Sequence, residues 1–423
     1  MKDRRQPLIS VILATHNRRE AVAHTLSQLT DCGLPRGEYE IIVVDNASTD
    51  GTGEAVAGEV DLLIRLRRNA GSCAKAYGMD RASGRYVVCL DDDSFPRPGT
   101  LSRMVELLEA DPRLGAAGFT VHLPNGRHEG AALPGVFVGC GVGFRAEALC
   151  AVGGLDRTFF MQAEEYDLSF RLVNAGWKVE VFDDVHVEHL KTEHARRTER
   201  TTFHDTRNNL RVIARYLPAP LDRIYRDDCL QRYEWLASRD GHEHAFRRGA
   251  RAGRRRAILE RWFYRRQRLS PDVFEHFYRW TFIRQRMVEL ARGGVRRIIL
   301  ADLGKNVFPF HRAASEAGIE IAAIGDDRFA CPGRVYRGVP VVPREEALAG
   351  PHDAVVVSNT GPVHAARTQR LLTSLNVSPV HSWFSAEKPA CVDEFGSSPP
   401  VSDSDDIPAE RSAACTLLGG RAG

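Results

Sequence analysis

Over the first 110 residues, apolar β-branched runs alternate with helix-length amphipathic stretches, and no other feature constrains the fold as strongly. Residues 8–13, 40–44, 62–66 and 86–90 read as strands, and 18–30, 72–82 and 100–110 as helices. Strands that are apolar throughout must be covered on both faces. Intervening helices do this in a parallel sheet. Ligands bind such sheets beyond the carboxyl ends of the strands, so the polar residues that end each run are where chemistry is expected.

The chain of 423 residues exceeds one average domain. A second βα pattern begins after Gly293-Gly294, with strands at 297–301, 319–324 and 354–357 and a helix at 310–317. It predicts a small Rossmann-like α/β domain over 295–385. Its Leu303-Gly304-Lys305-Asn306 loop lacks the glycine spacing of a dinucleotide site. Asp326, Asp327 and Gly361 also follow its strands. Between the two patterns, 217–294 reads as an Arg-rich helical linker region, with Arg247, Arg251, Arg254, Arg255, Trp262, Phe263 and Tyr264 crowded together. Such a stretch commonly packs its aromatics on a neighbouring domain, the alternatives being an anionic membrane or nucleic acid. Residues 386–423 read as a disordered tail.

Fifty-eight basic and fifty-five acidic side chains leave +3, so no global field draws a polyanion and no nucleic-acid partner is expected. Nine cysteines without a CxxC pair fit reduced thiols better than a disulfide framework. No apolar run reaches the roughly 20 residues of a membrane span. The expected location is cytoplasmic, with peripheral contact at the inner face of a membrane left open.

Three polar clusters end the strands. Thr15 and Asn17 close the first, and Asp45-Asn46-Ala47-Ser48-Thr49-Asp50-Gly51-Thr52 follows the second, a turn rich in oxygens and backbone N–H groups. Asp91-Asp92-Asp93 ends the fourth. Three successive carboxylates repel one another unless solvated or holding a cation, and oxygen donors of this kind select Mg²⁺ or Mn²⁺. The Asp-x-Asp pattern alone decides nothing, since Asp403-Ser404-Asp405 repeats it in the tail. Position at the end of a buried strand separates the two.

Together these residues resemble family 2 glycosyltransferases, inverting enzymes of the GT-A fold. The resemblance runs from Thr15-His16-Asn17 and Asp45–Thr52 through Asn69-Ala70-Gly71 and Asp91-Asp92-Asp93. It continues to Gly153-Gly154-Leu155-Asp156, Glu164-Glu165-Tyr166-Asp167 and Asp184–His189, covering about the first half of the chain. It implies a GT-A domain over 1–216. It further implies that Asp45 contacts the nucleotide base, with Thr15, Asn17, Asn69, Asp91 and Asp92 around the nucleotide sugar. Asp93, Asp91 and His189 would hold a divalent cation, Mn²⁺ or Mg²⁺. Glu165 would be the catalytic base where the family usually has Asp, one methylene shorter. Asp156 and Glu164 would touch the acceptor. Lys75 stands where an Arg is common.

The implied reaction moves a hexosyl group from a nucleotide-diphosphate sugar, UDP-linked by expectation, to a hydroxyl or amine of a glycan, lipid-linked glycan or secondary metabolite. A cation neutralises the leaving diphosphate and a carboxylate takes the acceptor's proton. A single attack from the opposite face inverts the anomeric carbon. A sugar-phosphate nucleotidyltransferase shares the sheet and metal carboxylates, but usually carries a Gly-rich basic loop where this chain has Ala14-Thr15-His16-Asn17-Arg18. An oxidoreductase or ligand-binding role rests on the second α/β pattern alone. That pattern also leaves a homodimer through the C-terminal domain open.

Overall fold

The structure is a computed structural model and describes residues 6–30, 32–191 and 198–385. Its first sheet begins with four parallel strands, β1 (Ile9–Thr15), β2 (Tyr39–Asp45), β3 (Leu62–Arg65) and β4 (Tyr86–Asp91). Helices α1 (Arg19–Leu29), α2 (Thr52–Val56) and α3 (Lys75–Met79) are the crossovers. Val11 and Leu13 enter one apolar cluster and Ile12 the other, so both faces are covered as continuous apolar strands require.

Strands β1, β2 and β4 extend one or two residues beyond their apolar runs, because the parallel ladder continues through their polar ends. Thr15 pairs with Asp45, and Ala14 with Asp91. The helix expected at 72–82 is instead a 3-10 turn, Gly71–Ala74, followed by the short α3. Gly71 explains this. Its φ is +68°, and a Cβ there would stand 2.1 Å from the Phe160 carbonyl oxygen.

The chain then adds β5 (Ser94–Pro96), α4 (Thr100–Ala110), β6 (Leu114–His122), β7 (His128–Glu129), β8 (Gly141–Arg145), α5 (Ala146–Val152), α6 (Glu164–Asn174) and β9 (Lys178–His189). The sheet order is β3-β2-β1-β4-β8-β6-β9-β5, with β7 beside β6. Its far half is mixed. β4 and β6 flank β8 antiparallel, while β6 and β9 are parallel. β5, immediately after the three aspartates, pairs Ser94 with His189 at the end of β9.

Five helices follow: α7 (Glu199–Tyr216), α8 (Leu221–Asp240), α9 (Glu243–Phe263), α10 (Pro271–Tyr278) and α11 (Trp280–Arg292). The arginine-rich α9 lies close against α7. Cβ atoms on Gly249 and Gly253 would stand 2.6 Å from the Phe203 carbonyl oxygen and 2.7 Å from Leu210. Its aromatics divide. Tyr264, just past the helix, lies under the Arg215 guanidinium, whereas Trp262 and Phe263 are 64% and 65% exposed and do not pack as the sequence suggested.

The second sheet contains β10 (Arg297–Ala301), β11 (Glu320–Gly325), β12 (Val335–Tyr336), β13 (Val339–Val342), β14 (Ala354–Val357) and β15 (Val380–His381). Its order is β12-β13-β11-β10-β14-β15, parallel except for the β12–β13 hairpin. Helices α12 (Phe308–Glu316), α13 (Arg344–Ala349) and α14 (Pro362–Ser374) link the strands. The expected tail, 386–423, lies outside the described residues.

Candidate active site

Three aspartates at one strand end need counter-charge, and three cations from separate elements supply it. Lys75, buried in α3, ion-pairs with Asp91 and also donates to the Gly139 carbonyl (2.8 Å). Arg18, after β1, reaches Asp92 (3.2 Å) and Asp93 (2.7 Å). His189 Nε2 lies 3.3 Å from Asp93 Oδ1 and 3.9 Å from Asp91 Oδ2. The Thr15 hydroxyl donates to Asp92 (2.8 Å).

The three carboxyls titrate differently for this reason. Burial pushes Asp92 up to about 6 against the pull of Arg18. Asp93 also suffers burial, but His189 and Arg18 hold it well below the usual carboxylate range. Asp91 is lowered, with Lys75 and His189 overcoming desolvation. Burial disfavours a charged His189. Hydrogen bonds to Asp93, Cys140 and Glu129 outweigh it and push the imidazole up to about 12. Glu129 Oε2 sits 3.1 Å from His189 Nδ1 and falls to about 2, despite burial, through His189 and Lys191.

These donors suit a hard divalent cation. Cis ligands of an octahedral ion with bonds near ~2.1 Å stand about 3 Å apart, and Asp93 Oδ1 and His189 Nε2 are separated by 3.3 Å. Asp91, Cys140 and His189 also offer ligand atoms within 4.8 Å of one another. Desolvation keeps the Cys140 thiol protonated, so the oxygens and the imidazole are the fitting donors. Binding would release the imidazolium proton.

Beside this cluster, the loops after β1 and β2 interlock. Asn17, at φ +53°, donates its N–H to the Ser48 hydroxyl (3.1 Å) and accepts from the Thr49 N–H (2.7 Å). Asp45 accepts from the Ser48 N–H (2.9 Å), and a Cβ on Gly53 would stand 2.3 Å from its Oδ2. Asn46 donates to Asn69 (3.2 Å) and to the Gly71 carbonyl, and accepts from the Ala70 N–H (2.7 Å). Thr15, Asn17, Asp45 and Asn69 thus surround one edge.

Glu164 and Glu165 open α6. The preceding residues Phe160, Gln162 and Ala163 all have positive φ, a strained run for side-chain-bearing residues. The buried Asn208 of α7 holds that run, donating to the carbonyls of Phe159 (2.9 Å), Met161 (2.7 Å) and Gln162 (2.9 Å). On its other side, the Cys73 N–H donates to the Phe160 carbonyl (3.1 Å). Glu165 lines one pocket with Lys75 and Gly139, and its Oε1 lies 3.2 Å from where a Cβ on Gly139 would stand. Burial raises its carboxyl above the usual range. Glu164 touches the Ser72 hydroxyl through Oε1, while Oε2 has no hydrogen-bond partner. Burial and the neighbouring Glu165 push it up to about 8.

Asp156 stands apart from this edge. It caps a 3-10 turn through the Thr158 N–H and pairs with Arg215 (3.0 Å). Arg215 also meets Asp167 (2.6 Å) and Glu260, which Arg211 shares (2.7 Å). This buried ion network ties α6, α7 and α9 together. Sequence reasoning did not select Arg18, Asn46, Glu129, Cys140 or Asn208. The crossover loop after β1 was the one available signal, for Arg18.

Residues 10–132 match the family described as Glycosyl transferase family 2. Among curated proteins, the chain is 31% identical to Glycosyltransferase AglE of Haloferax volcanii over 108 residues, 24% of this chain and 36% of that one. It is 27% identical to the Putative teichuronic acid biosynthesis glycosyltransferase TuaG of Bacillus subtilis over 154 residues, 32% of this chain and 60% of that one. The chain thus spans between about a third and 60% of these relatives' lengths. A mannosyltransferase structure, PcManGT from Pyrobaculum calidifontis in complex with GDP-Man and Mn2+, aligns with 60% of this chain and 76% of that one, at 24% identity and TM-score 0.43. The α/β architecture that the motifs implied is the one this chain has. The similarity to glycosyl transferase family 2 is carried by the domain that begins at β1.

Proposed function

We propose that the chain transfers a glycosyl group from a nucleotide-diphosphate sugar to a hydroxyl or amine acceptor by one inverting displacement. Asp45, Thr15, Asn17 and Asn69 hold the nucleoside, and Asp91, Asp92 and Asp93 face the diphosphate. UDP remains the favoured nucleotide. Asp93 and His189, with Asp91, would hold Mn²⁺ or Mg²⁺, which supplies Lewis-acid neutralisation of the leaving diphosphate when bound. Glu165 takes the acceptor's proton. Its partly desolvated carboxylate is a stronger base than an exposed one.

One observation supports this reading above the others. Lys75 bridges the two halves of the site, bonded to Asp91 on one side and lining the Glu165 pocket on the other. The test is turnover of nucleotide sugars with Mn²⁺ by Asp93→Ala and Glu165→Gln. Each should lose about a hundredfold or more, the usual scale for a general base. Near wild-type rates from either variant would remove the mechanism.

Among the described residues, no helix is long and apolar enough to cross a membrane. A peripheral contact has its own support. Ile258, Leu259, Trp262 and Phe263 are exposed on the last turns of α9, with exposed Arg251, Arg254, Arg255, Arg265 and Arg266 around them. Apolar residues rimmed by cations fit an anionic bilayer surface. The double variant Trp262→Ser, Phe263→Ser should lose co-sedimentation with phosphatidylglycerol vesicles. Undiminished co-sedimentation would refute the contact.

A further inference from the structure

The second sheet has its own carboxyl edge, and a cleft opens there against α7 and α8. It is an open cleft, spanning about 840 Å³ when the part continuous with solvent is counted. Lys305 lines it from the loop after β10, Arg232 from α8 and Arg334 from the segment before β12. Tyr166, Tyr233 and Tyr278 form aromatic walls.

The three cations are held by rings and carbonyls, with Asp205 acting on Lys305 and Asp326 on the two arginines from beyond ion-pair distance. The Lys305 ammonium lies 5.3 Å from the Tyr166 ring centroid and 5.9 Å from that of Tyr233. Arg232 donates to the Leu303 carbonyl (2.6 Å) and stacks on Phe329. Arg334 donates to the Phe329 carbonyl (3.0 Å) and stacks on Trp235. Among the described residues, none of the three has a carboxylate in ion-pair contact. The acids nearby have other partners, Asp205 accepting from the Tyr233 hydroxyl (3.3 Å). Asp228 binds the Tyr336 hydroxyl and Arg337, each at 2.7 Å. Asp326 accepts from the backbone N–H groups of Leu303, Arg328 and Phe329.

The backbone beneath Lys305 is strained. Asp302 follows β10 at φ +90°, a conformation that favours glycine, and Ser358 fixes its carbonyl (2.6 Å). β10 also sits where the sheet order turns, with β11 on one side and the later β14 on the other. Ligands of open parallel sheets bind beyond such a point.

We infer that this cleft is a second ligand site that takes a phosphate-bearing small molecule, a nucleotide or a sugar phosphate. The phosphate would lie among Lys305, Arg232 and Arg334, and the base or sugar against the tyrosines. The site is separate from the acidic edge of the first sheet and does not depend on the glycosyl-transfer reading. One wall nevertheless belongs to α6. Tyr166 follows Glu165 directly, and its hydroxyl accepts from the Ala132 N–H, three residues after Glu129.

Calorimetric titration of the full chain in EDTA tests this, with inorganic pyrophosphate as probe and with adenosine monophosphate and glucose 1-phosphate as separate arms. Saturable binding is expected from pyrophosphate, and the tighter of the two organic arms identifies the source. Lys305→Gln and the more peripheral Arg334→Gln should each weaken binding about tenfold, with folding checked by circular dichroism. Asp45→Ala should leave it unchanged. No saturation by about 10 mM of any probe, binding indifferent to both cation variants, or binding abolished by Asp45→Ala would overturn the inference.

Discussion

The two halves of the candidate active site are held in place by different physics. Thr15, Asp45 and Asp91 sit at the ends of adjacent parallel strands, fixed by ladder register, and Asp93 meets His189 because β5 pairs with β9. Glu164 and Glu165 instead open a helix entered through a strained run, whose position depends on contacts from α7, α9 and the Gly71–Ala74 turn. Regular hydrogen bonding secures the first half locally. The second is secured by distant groups, the Asn208 side chain and the Cys73 N–H among them. Damage far from the chemistry should therefore fall on Glu165 more than on the aspartates.

The largest expected effect lies at Glu260. Its carboxylate accepts from Arg211 (2.7 Å) and Arg215 (2.9 Å), all three side chains being buried. Removing one partner of a buried pair strands the rest without compensation, at about 3–5 kcal/mol. Glu260→Ala should lower the thermal midpoint by roughly 5 °C or more. An unchanged midpoint would mean that α9 does not brace the helical half, and the contrast between the halves would fail.

The same contrast explains what the sequence disclosed. Asp45 and Asp91-Asp92-Asp93 were legible because a strand end is marked by local hydrophobicity, and the strands lie within a few residues of where their apolar runs placed them. His189 needed the family pattern. The neutralising groups were not legible, because each acts across a long separation. Arg18 meets Asp93 across 75 positions, and Glu129 meets His189 across 60. Asn208 looks like any polar residue of an amphipathic helix until its partners are known. Asp156 shows a partner that its motif did not announce. A turn residue beside a family motif suggested an acceptor contact, whereas its carboxylate is engaged by Arg215. In the second α/β region the main strands were plain, but the cleft was not, since its cations come from three separate elements.

A smaller and more discriminating effect is expected at Asn208, a positioning residue that touches neither donor nor acceptor in the proposed reaction. Its amide makes three bonds to the strained run before α6, and Asn208→Ala would free that run to relax. Since the base Glu165 depends on it and the strand-borne aspartates do not, kcat should fall about tenfold, the scale of one or two lost hydrogen bonds. The donor KM, set by the strand-borne half, should stay within about twofold. The pH profile supplies the second readout. A base works deprotonated, so activity rises with pH through the carboxyl's titration. Burial raises that carboxyl, which places the wild-type acidic limb above the ordinary Glu value of about 4.3. A loosened loop admits water to Glu165, relieves the desolvation and moves the limb down. A variant that loses kcat with the limb unmoved, or that raises KM in the same proportion, would show Asn208 supporting the fold as a whole and not the base.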